Sequence, residues 1–326
     1  MKLKTIRNAK PARQLALTIQ IVGWNSARHL EVGVRALKAI PPQEVIIRYL
    51  DNGSSDNSIQ IVRNTLPEAD IIKLGKNIGF AQAHNRGIAM CATPFVLTHD
   101  PDVELNWQAV PKLLACLQRR HDVAAVQGKL LRKERGVIDS TGIILSLALN
   151  GKERGAGEVD VGQYEYPAVI DAVTGACGLY RIEALKRVAH GAQEFFDNDF
   201  FAYKEDVDLG WRFKRVGLRS MYQPVLMGYH SRTVGKRGVV PWFLNPLEFP
   251  PRLRSPRTYY SLRNYIWMVV KNKSVGQAFL HDWFIIPRLM YWFLLSLAYP
   301  PLLKAWIDAV RGIPKMIRKK NIGVPA

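Results

Sequence analysis

Pro94-Phe95-Val96-Leu97-Thr98-His99-Asp100-Pro101-Asp102 is an apolar run that stops on two carboxylates with a proline between them. Residues 94–98 read as a buried strand of a parallel sheet, and Pro101, which has no N–H to donate, ends the ladder. The acids therefore stand at the carboxyl end of a strand, where open α/β sheets bind their ligands. Two hard oxygen donors at such an edge suit Mg²⁺ or Mn²⁺, which take one or two protein carboxylates and complete their shells with water and phosphate oxygens. The tripeptide alone leaves a plain Asp-Pro-Asp turn open as the alternative.

Upstream, Leu17 to Trp24 is β-prone and stops at Asn25-Ser26, a helix N-cap pair. Leu30, Val34 and Leu37 then follow at helical spacing up to Pro41-Pro42. A second strand, Glu44 to Leu50, ends in Asp51-Asn52-Gly53-Ser54-Ser55-Asp56 and leads to a helix carrying Ile59, Val62 and Leu66. A short strand from Asp70 to Leu74 runs into Gly75-Lys76-Asn77-Ile78-Gly79, and a helix from about Phe80 to Met90 follows. This β-α-β-α-β-α-β order predicts an α/β fold: a parallel sheet flanked by helices on both faces. Right-handed crossovers bring Asn25, Asp51, Asn77 and Asp100/Asp102 to one edge of it. The Gly75–Gly79 loop either offers backbone N–H groups to a phosphate or is a strained turn, since it is neither Gly-x-Gly-x-x-Gly nor a Walker loop.

Downstream, Val110, Leu113, Leu114 and Leu117 mark a helix, and residues 123–131 and 143–149 read as short strands. The Gly/Glu/Arg-rich stretch Gly151–Gly162 is expected to be mobile. In Val173–Arg181, Gly175 and Gly178 signal a close backbone approach to a ligand or a tight bend. Cys177 has no activating partner in the sequence and reads as a small buried hydrophobe. Between 197 and 208 stand Asp197, Asp199, Glu205, Asp206 and Asp208, interleaved with aromatics. Acids in the first turn of a helix complement its dipole, which accounts for one or two of them. The whole set predicts a sugar-binding wall carrying a general base.

The 326 residues hold 46 Lys+Arg against 27 Asp+Glu, a net charge of +19, so the surface is matched to something anionic. Hydrophobic content of 48% is that of a globular chain rather than a disordered one. The three cysteines, scattered and without Cys-x-x-Cys spacing, point to a reducing compartment and away from zinc or disulfides. Residues 1–14 form a basic tail, and the apolar run after it reads as the first strand rather than a signal peptide.

The ordered set Asp51-Asn52-Gly53-Ser54 with Asp56, Asn77-Ile78-Gly79-Phe80 with Asn85-Arg86-Gly87, Asp100-Pro101-Asp102, Thr174-Gly175-Ala176 and Glu205-Asp206-Val207-Asp208-Leu209 resembles the family 2 glycosyltransferases of the GT-A type, over roughly residues 15–235. The match is most similar to their bacterial rhamnosyltransferase-like branch. The resemblance implies a Rossmann-like, mostly parallel sheet and a catalytic domain over 15–240, divided near 102 into nucleotide-binding and acceptor-binding halves. It implies that Asp51 faces the nucleotide base, with Gly23, Asn25, Asn77, Gly79, Asn85 and Gly175 completing the nucleotide-sugar pocket. It places Asp102 on the metal, Asp100 beside it or on the ribose, and His230 beside the diphosphate or metal, though imidazole is a less favoured ligand for such hard ions. Asp206 is implied as the base, with Glu205 as its alternate. Arg232, with Lys236 and Arg237, is expected either to close over the phosphates or to form a solvated charge cluster.

No Gln-x-x-Arg-Trp motif of the processive synthases follows the base, so transfer of a single sugar is expected. The donor expected is dTDP-L-rhamnose, with a UDP- or GDP-hexose or UDP-galactofuranose as alternatives. A nucleotidyltransferase would want a Gly-rich, Lys-containing loop after the first strand, which is missing.

From Pro241 the chain becomes rich in Pro, Arg and aromatics, and Trp283 to Leu303 is nearly all apolar apart from Arg288, Ser296 and prolines 287, 300 and 301. Arginines among aromatics can bind single-stranded nucleic acid, but the apolar segment beside them speaks against that partner. The broken apolar run reads as interfacial or re-entrant helix, and Lys304, Arg311, Lys315, Arg318, Lys319 and Lys320 suit an anionic membrane surface. A helical hairpin packed on the catalytic domain or on a second copy is the alternative. The expected location is cytoplasmic, peripheral on the inner membrane face, with a lipid-linked or other glycan acceptor.

Overall fold

The computed structural model describes residues 16–41, 43–133, 136–231, 253, 255–274, 276 and 278–320. The basic N-terminal tail and Arg232, Lys236 and Arg237 lie outside the described residues.

Strands β1 (Leu17–Gly23), β2 (Val45–Asp51), β3 (Asp70–Lys73) and β4 (Phe95–His99) alternate with helices α1 (Ala27–Leu37), α2 (Ser58–Thr65) and α3 (Phe80–Ile88). The four strands are parallel, in the order β4-β1-β2-β3. β1 is buried along its whole length, as a central strand covered on both faces must be. Ile19, Ile21 and Leu97 lie in the core between the sheet and α1. Each such fully buried aliphatic side chain stabilises the fold by roughly 1.5–3 kcal/mol.

After β5 (Val103–Leu105) and α4 (Val110–Arg119) come β6 (Val123–Arg132), β7 (Val137–Ser140), β8 (Ile143–Leu145), β9 (Gly151–Glu153), β10 (Ala168–Ile170) and β11 (Cys177–Arg181). Short α5 (Ile182–Arg187) precedes α6 (Glu205–Arg215) and the long β12 (Arg219–His230). The sheet continues past β4 as β11, β6, β12 and β10, with β11 antiparallel to both β4 and β6. β5 is antiparallel to β12, pairing Val103 with His230. The result is a mixed, mostly parallel sheet with helices on both faces.

Two sequence expectations change. The stretch from Gly151 is no loose loop: β9 pairs with β8, Arg154 lies over the rings of Tyr164 and Tyr222, and Glu153 accepts from Ser140 Oγ at 2.5 Å and Thr174 Oγ1 at 3.2 Å. The strand expected over 143–149 stops at Leu145, because the chain turns there to make this hairpin, with Leu149 at φ 52°.

The C-terminal part is helical: α7 (Pro256–Asn272), α8 (Ala278–Ala298) and α9 (Pro300–Lys320). Ser255 caps α7, its hydroxyl accepting from Thr258 N–H. α7 buries Tyr265, Trp267 and Met268 against Phe200, Val207 and Trp211. α9 packs against α7 closely enough that a Cβ at Gly312 would stand 2.5 Å from the Trp267 ring. Among the described residues no helix is long and apolar enough to cross a membrane.

Candidate active site

The Asp-Pro-Asp turn is held from three sides. Asp100 N–H donates to Ala176 O at 2.7 Å, Val103 N–H to Asp100 O at 3.1 Å, and Ser231 N–H to Asp102 O at 3.0 Å. Gly33 of α1 presses against it, since a Cβ there would stand 2.3 Å from the Pro101 carbonyl. β12 ends beside the turn and brings His230 Nε2 to 3.3 Å from Asp102. Donor atoms of Asp100, Asp102 and His230 lie within 4.8 Å of one another.

The two carboxylates fit a hard divalent ion. His230 is pinned between acids, with Nδ1 at 2.8 Å from Asp139. Burial pulls its imidazolium down, but the hydrogen bonds to Asp102 and Asp139 outweigh this and hold it up to about 10. As an imidazolium it balances the acids; it can join a metal shell only after losing a proton.

One cavity of about 700 Å³ is lined by this turn and by the start of α6. The approach to it is unusual backbone: Phe201, Tyr203 and Lys204 all have positive φ, at 64°, 72° and 75°. Conformations of that kind cost order 1–3 kcal/mol each for non-glycine residues and persist where the surroundings over-determine them. The surroundings here are Ala81 N–H on Phe201 O at 3.2 Å, and Asn264 Nδ2 on the carbonyls of Phe200, Ala202 and Tyr203 at 2.8–2.9 Å. The kinked loop turns Glu205 and Asp206 into the cavity.

Asp206 accepts from Gly175 N–H at 3.0 Å and from Val207 N–H at 2.7 Å. Burial nevertheless raises its carboxyl above the usual range. Burial, and then the neighbouring Asp206, raise Glu205 further, and Glu205 Oε2 is buried without a hydrogen-bond partner. Two adjacent carboxyls raised by burial in a cleft are suited to proton transfer.

Asn25, Asp100, Asp102, Gly175, Glu205, Asp206 and His230 all line the cavity. Asp51, expected to face the base, is 4% exposed and does not line the cavity; it accepts from Ser54 N–H, while Asn25 Oδ1 accepts from Ser55 N–H at 2.8 Å and interlocks the two loops. Gly23, Asn77, Gly79 and Asn85, expected in the nucleotide pocket, do not line it. Gly23 gives room to the Tyr49 phenol, whose oxygen would lie 2.2 Å from a Cβ. Asn77 Oδ1 accepts from Gly79 N–H and Asn52 Nδ2, an Asx turn that shapes the loop. Gly79, at φ 87°, abuts Phe201. Asn85 spends its amide on the backbone of Phe196, donating at 2.6 Å and accepting at 2.8 Å. These four shape and anchor the loops around the pocket.

The expected wall of acids also divides. Asp197, Asp199 and Asp208 do not reach the cavity. Lys271 Nζ lies 2.5 Å from Asp197 and 2.8 Å from Asp208, all three side chains fully buried. Lys319 lies 2.5 Å from Asp197 and 2.8 Å from Asp199, and Arg212 is 3.0 Å from Asp208. Burial alone would raise Asp197, but Lys271 and Lys319 hold it well below the carboxylate range. Cys177 is fully buried and its thiol is pushed up by burial, as its reading as a packing residue requires.

Sequence reasoning missed Trp24, Glu153, Lys204, Arg257 and Ser261 as cavity residues. The last two come from α7, more than forty positions past the end of α6 in the chain, and no local pattern ties them to the acids.

Comparisons with known proteins agree with this geometry. The model of glycosyl transferase family 2 matches residues 18–188, just over half of the chain. The chain is 28% identical over 241 residues to the N-acetylglucosaminyl-diphospho-decaprenol L-rhamnosyltransferase of Mycobacterium tuberculosis, covering 66% of this chain and 76% of the relative. Among solved structures, Staphylococcus aureus TarS 1-349 in complex with UDP-GlcNAc superposes with a TM-score of 0.56 at 16% identity, over 94% of this chain and 84% of that one. GalNAc-T7 with UDP, GalNAc and Mn²⁺ superposes with a TM-score of 0.56 at 14% identity, over 79% of this chain and 48% of that one. At these identities the structures show a shared GT-A-like fold.

Proposed function

Since the chain belongs to glycosyl transferase family 2 and is a glycosyltransferase, we propose that it moves one sugar, with inversion, from a nucleotide-diphosphate donor to a sugar hydroxyl of a lipid-linked diphosphate acceptor at a membrane surface. The donor best supported is dTDP-L-rhamnose, through the rhamnosyltransferase relative. The observation that carries the reading is one cavity lined by Asp100 and Asp102 together with Asp206 and Glu205.

Asp206 takes the proton of the acceptor hydroxyl, whose oxygen forms the new bond to the anomeric carbon as the bond from that carbon to the diphosphate oxygen breaks. Gly175 N–H fixes the orientation of Asp206, and Glu205, whose carboxyl is raised by burial and then by Asp206, stands beside it as the second acid of the cleft. Asn25 and the Asp51–Asp56 loop hold the nucleotide, Asp51 toward the base. Asp102, with Asp100 beside it, would hold Mg²⁺ or Mn²⁺, and such an ion stabilises the charge that grows on the leaving diphosphate. His230 holds Asp102 in place through the hydrogen bond that it relays from Asp139.

The test is calorimetric binding of UDP, dTDP and GDP with and without Mn²⁺ to wild type and Asp102→Ala, followed by transfer of radiolabelled sugar from the nucleotide that binds. Tight binding of one nucleotide that depends on the ion and on Asp102 supports the reading. A folded wild type that binds none of them overturns it.

A further inference from the structure

Helix α8 carries a guanidinium at the edge of an apolar surface. Phe284 and Tyr291, one turn before and after Arg288, are 42% and 44% exposed, while the more exposed Phe279, Trp283, Met290 and Leu294 lie on the other side of the helix, and the acid of the helix, Asp282, is taken up by Lys273 at 2.5 Å. A cation on such a helix is costly unless something anionic answers it. Arg288 lies 5.2 Å from the Tyr265 ring centroid, and its Nε is buried without a hydrogen-bond partner.

A single turn brings Arg288 near the active site. Tyr265 Oη donates to Ala148 O at 2.5 Å, and two residues on, Asn150 Oδ1 accepts from Lys204 Nζ at 2.9 Å. Lys204 lines the cavity, and so does Arg257, 5.6 Å from the Tyr203 ring centroid. Neither Lys204 nor Arg288 has a carboxylate within ion-pair distance among the described residues. Burial pulls the Lys204 ammonium down to about 8; the repulsion of Arg288 and Arg257 adds to this, against the pull of Asp206.

We propose that Lys204, Arg257 and Arg288 bind the diphosphate of a lipid-linked acceptor, whose hydrocarbon chain lies along the exposed face of α8. The inference rests on the reading of the acceptor as lipid-linked and adds the residues that hold it. A diphosphate offers several anionic oxygens, and a buried lysine with two guanidiniums answers them with charge-assisted hydrogen bonds. Lys204 is two residues from Asp206, so a sugar attached to a phosphate held there is presented directly to the base. Phe284 and Tyr291, beside Arg288, begin the apolar surface along which the hydrocarbon would lie.

The diphosphate of the donor has the same chemistry, so the experiment separates the two sources. The full chain is co-sedimented with phosphatidylcholine vesicles containing undecaprenyl diphosphate, and with vesicles matched in charge by phosphatidylglycerol. Binding of dTDP and UDP is measured in parallel by calorimetry. Wild type is expected to prefer the diphosphate vesicles at least tenfold. The R288Q variant is expected to lose most of that preference while binding nucleotide as wild type does, and R288K to retain most of it. Thermal midpoints check the fold, and R257Q, read by its vesicle preference alone, serves if R288Q does not fold.

Equal binding of wild type to both vesicles, an unchanged preference in the variants, or a matching loss of nucleotide affinity each overturns the proposal. A wild type that prefers the lipid diphosphate but binds no nucleotide leaves the lipid site standing and counts only against the transferase reading.

Discussion

Asp206 and Asp208 share one turn of α6, and yet burial raises the first carboxyl, while Lys271 and Arg212 overcome burial and hold the second down. Residues two apart on a helix face different sides, so one looks into the cavity and the other toward α7. The side facing α7 is saturated with cations: Lys271, Arg212 and Lys319 satisfy Asp208, Asp197 and Asp199. On the cavity side, Glu205 Oε2 is left without a hydrogen bond and Asp206 holds only backbone N–H groups. Acid type and spacing are the same on both sides, and the partner decides whether a carboxylate is a strut or a reagent.

Substitutions on the two sides should therefore part company. The largest effect expected is on Asp206→Asn, which should lower transfer by about 10²–10⁴-fold with no loss of thermal stability; full activity in this variant would break the contrast. Next, Lys271→Met leaves Asp197 and Asp208 buried without their shared cation and should cost about 3–5 kcal/mol in urea unfolding. A loss under 1 kcal/mol would mean that the network contributes little.

Glu205→Gln should act in the opposite direction. The folded carboxyl is raised above its ordinary value of 4.5, so at pH 7 the native state carries an unfavourable charge that acidification toward 4.5 removes. The variant should be more stable than wild type at pH 7, and the advantage should shrink at pH 5. His84 and His190 tilt both proteins the other way. Burial holds both neutral, down to about 3, so the stability that they contribute is complete above 6.5 and falls as the pH drops below it, by about 1.4 kcal/mol per unit for each. Parallel pH slopes for Glu205→Gln and wild type would remove the case for a raised Glu205. The smallest effect should come from Lys315→Gln at the solvent rim, where the 53% exposed ammonium meets Asp199. Such pairs are worth about 0–1 kcal/mol, and urea midpoints should barely move.

The parallel half of the sheet was legible from the sequence because its strands are continuous apolar runs punctuated by Asn25, Asp51, Gly75 and Pro101, and local chemistry fixes such boundaries. The Asp-Pro-Asp turn and the Glu205-Asp206 pair were legible for the same reason, and the cavity brings them together. What stayed hidden depends on contacts far along the chain. Nothing near Asp197 or Asp208 indicates that Lys271 and Lys319 will neutralise them, so all five acids between 197 and 208 read alike. Asn77 and Asn85 read as pocket residues, and their ties to the backbone of Gly79 and Phe196 were not legible, since an amide bonded to backbone has the same sequence signature as one offered to a ligand. The Gly151 stretch read as loose because its stabilising partners, Tyr164, Thr174 and Tyr222, come later in the sequence.

The ion network also sets an order of events at the ribosome. Asp197 is translated 74 residues before Lys271 and 122 before Lys319. At about 5–20 residues per second, the second wait is on the order of 6–25 s. During that interval the nascent chain can complete its parallel sheet, but the loop that aims Asp206 lacks the counter-charges behind it. Until α9 has been made, Asp197 and Asp199 lack the Lys319 ammonium, and a chain cut short before that helix would leave these acids without it and be marked for quality control.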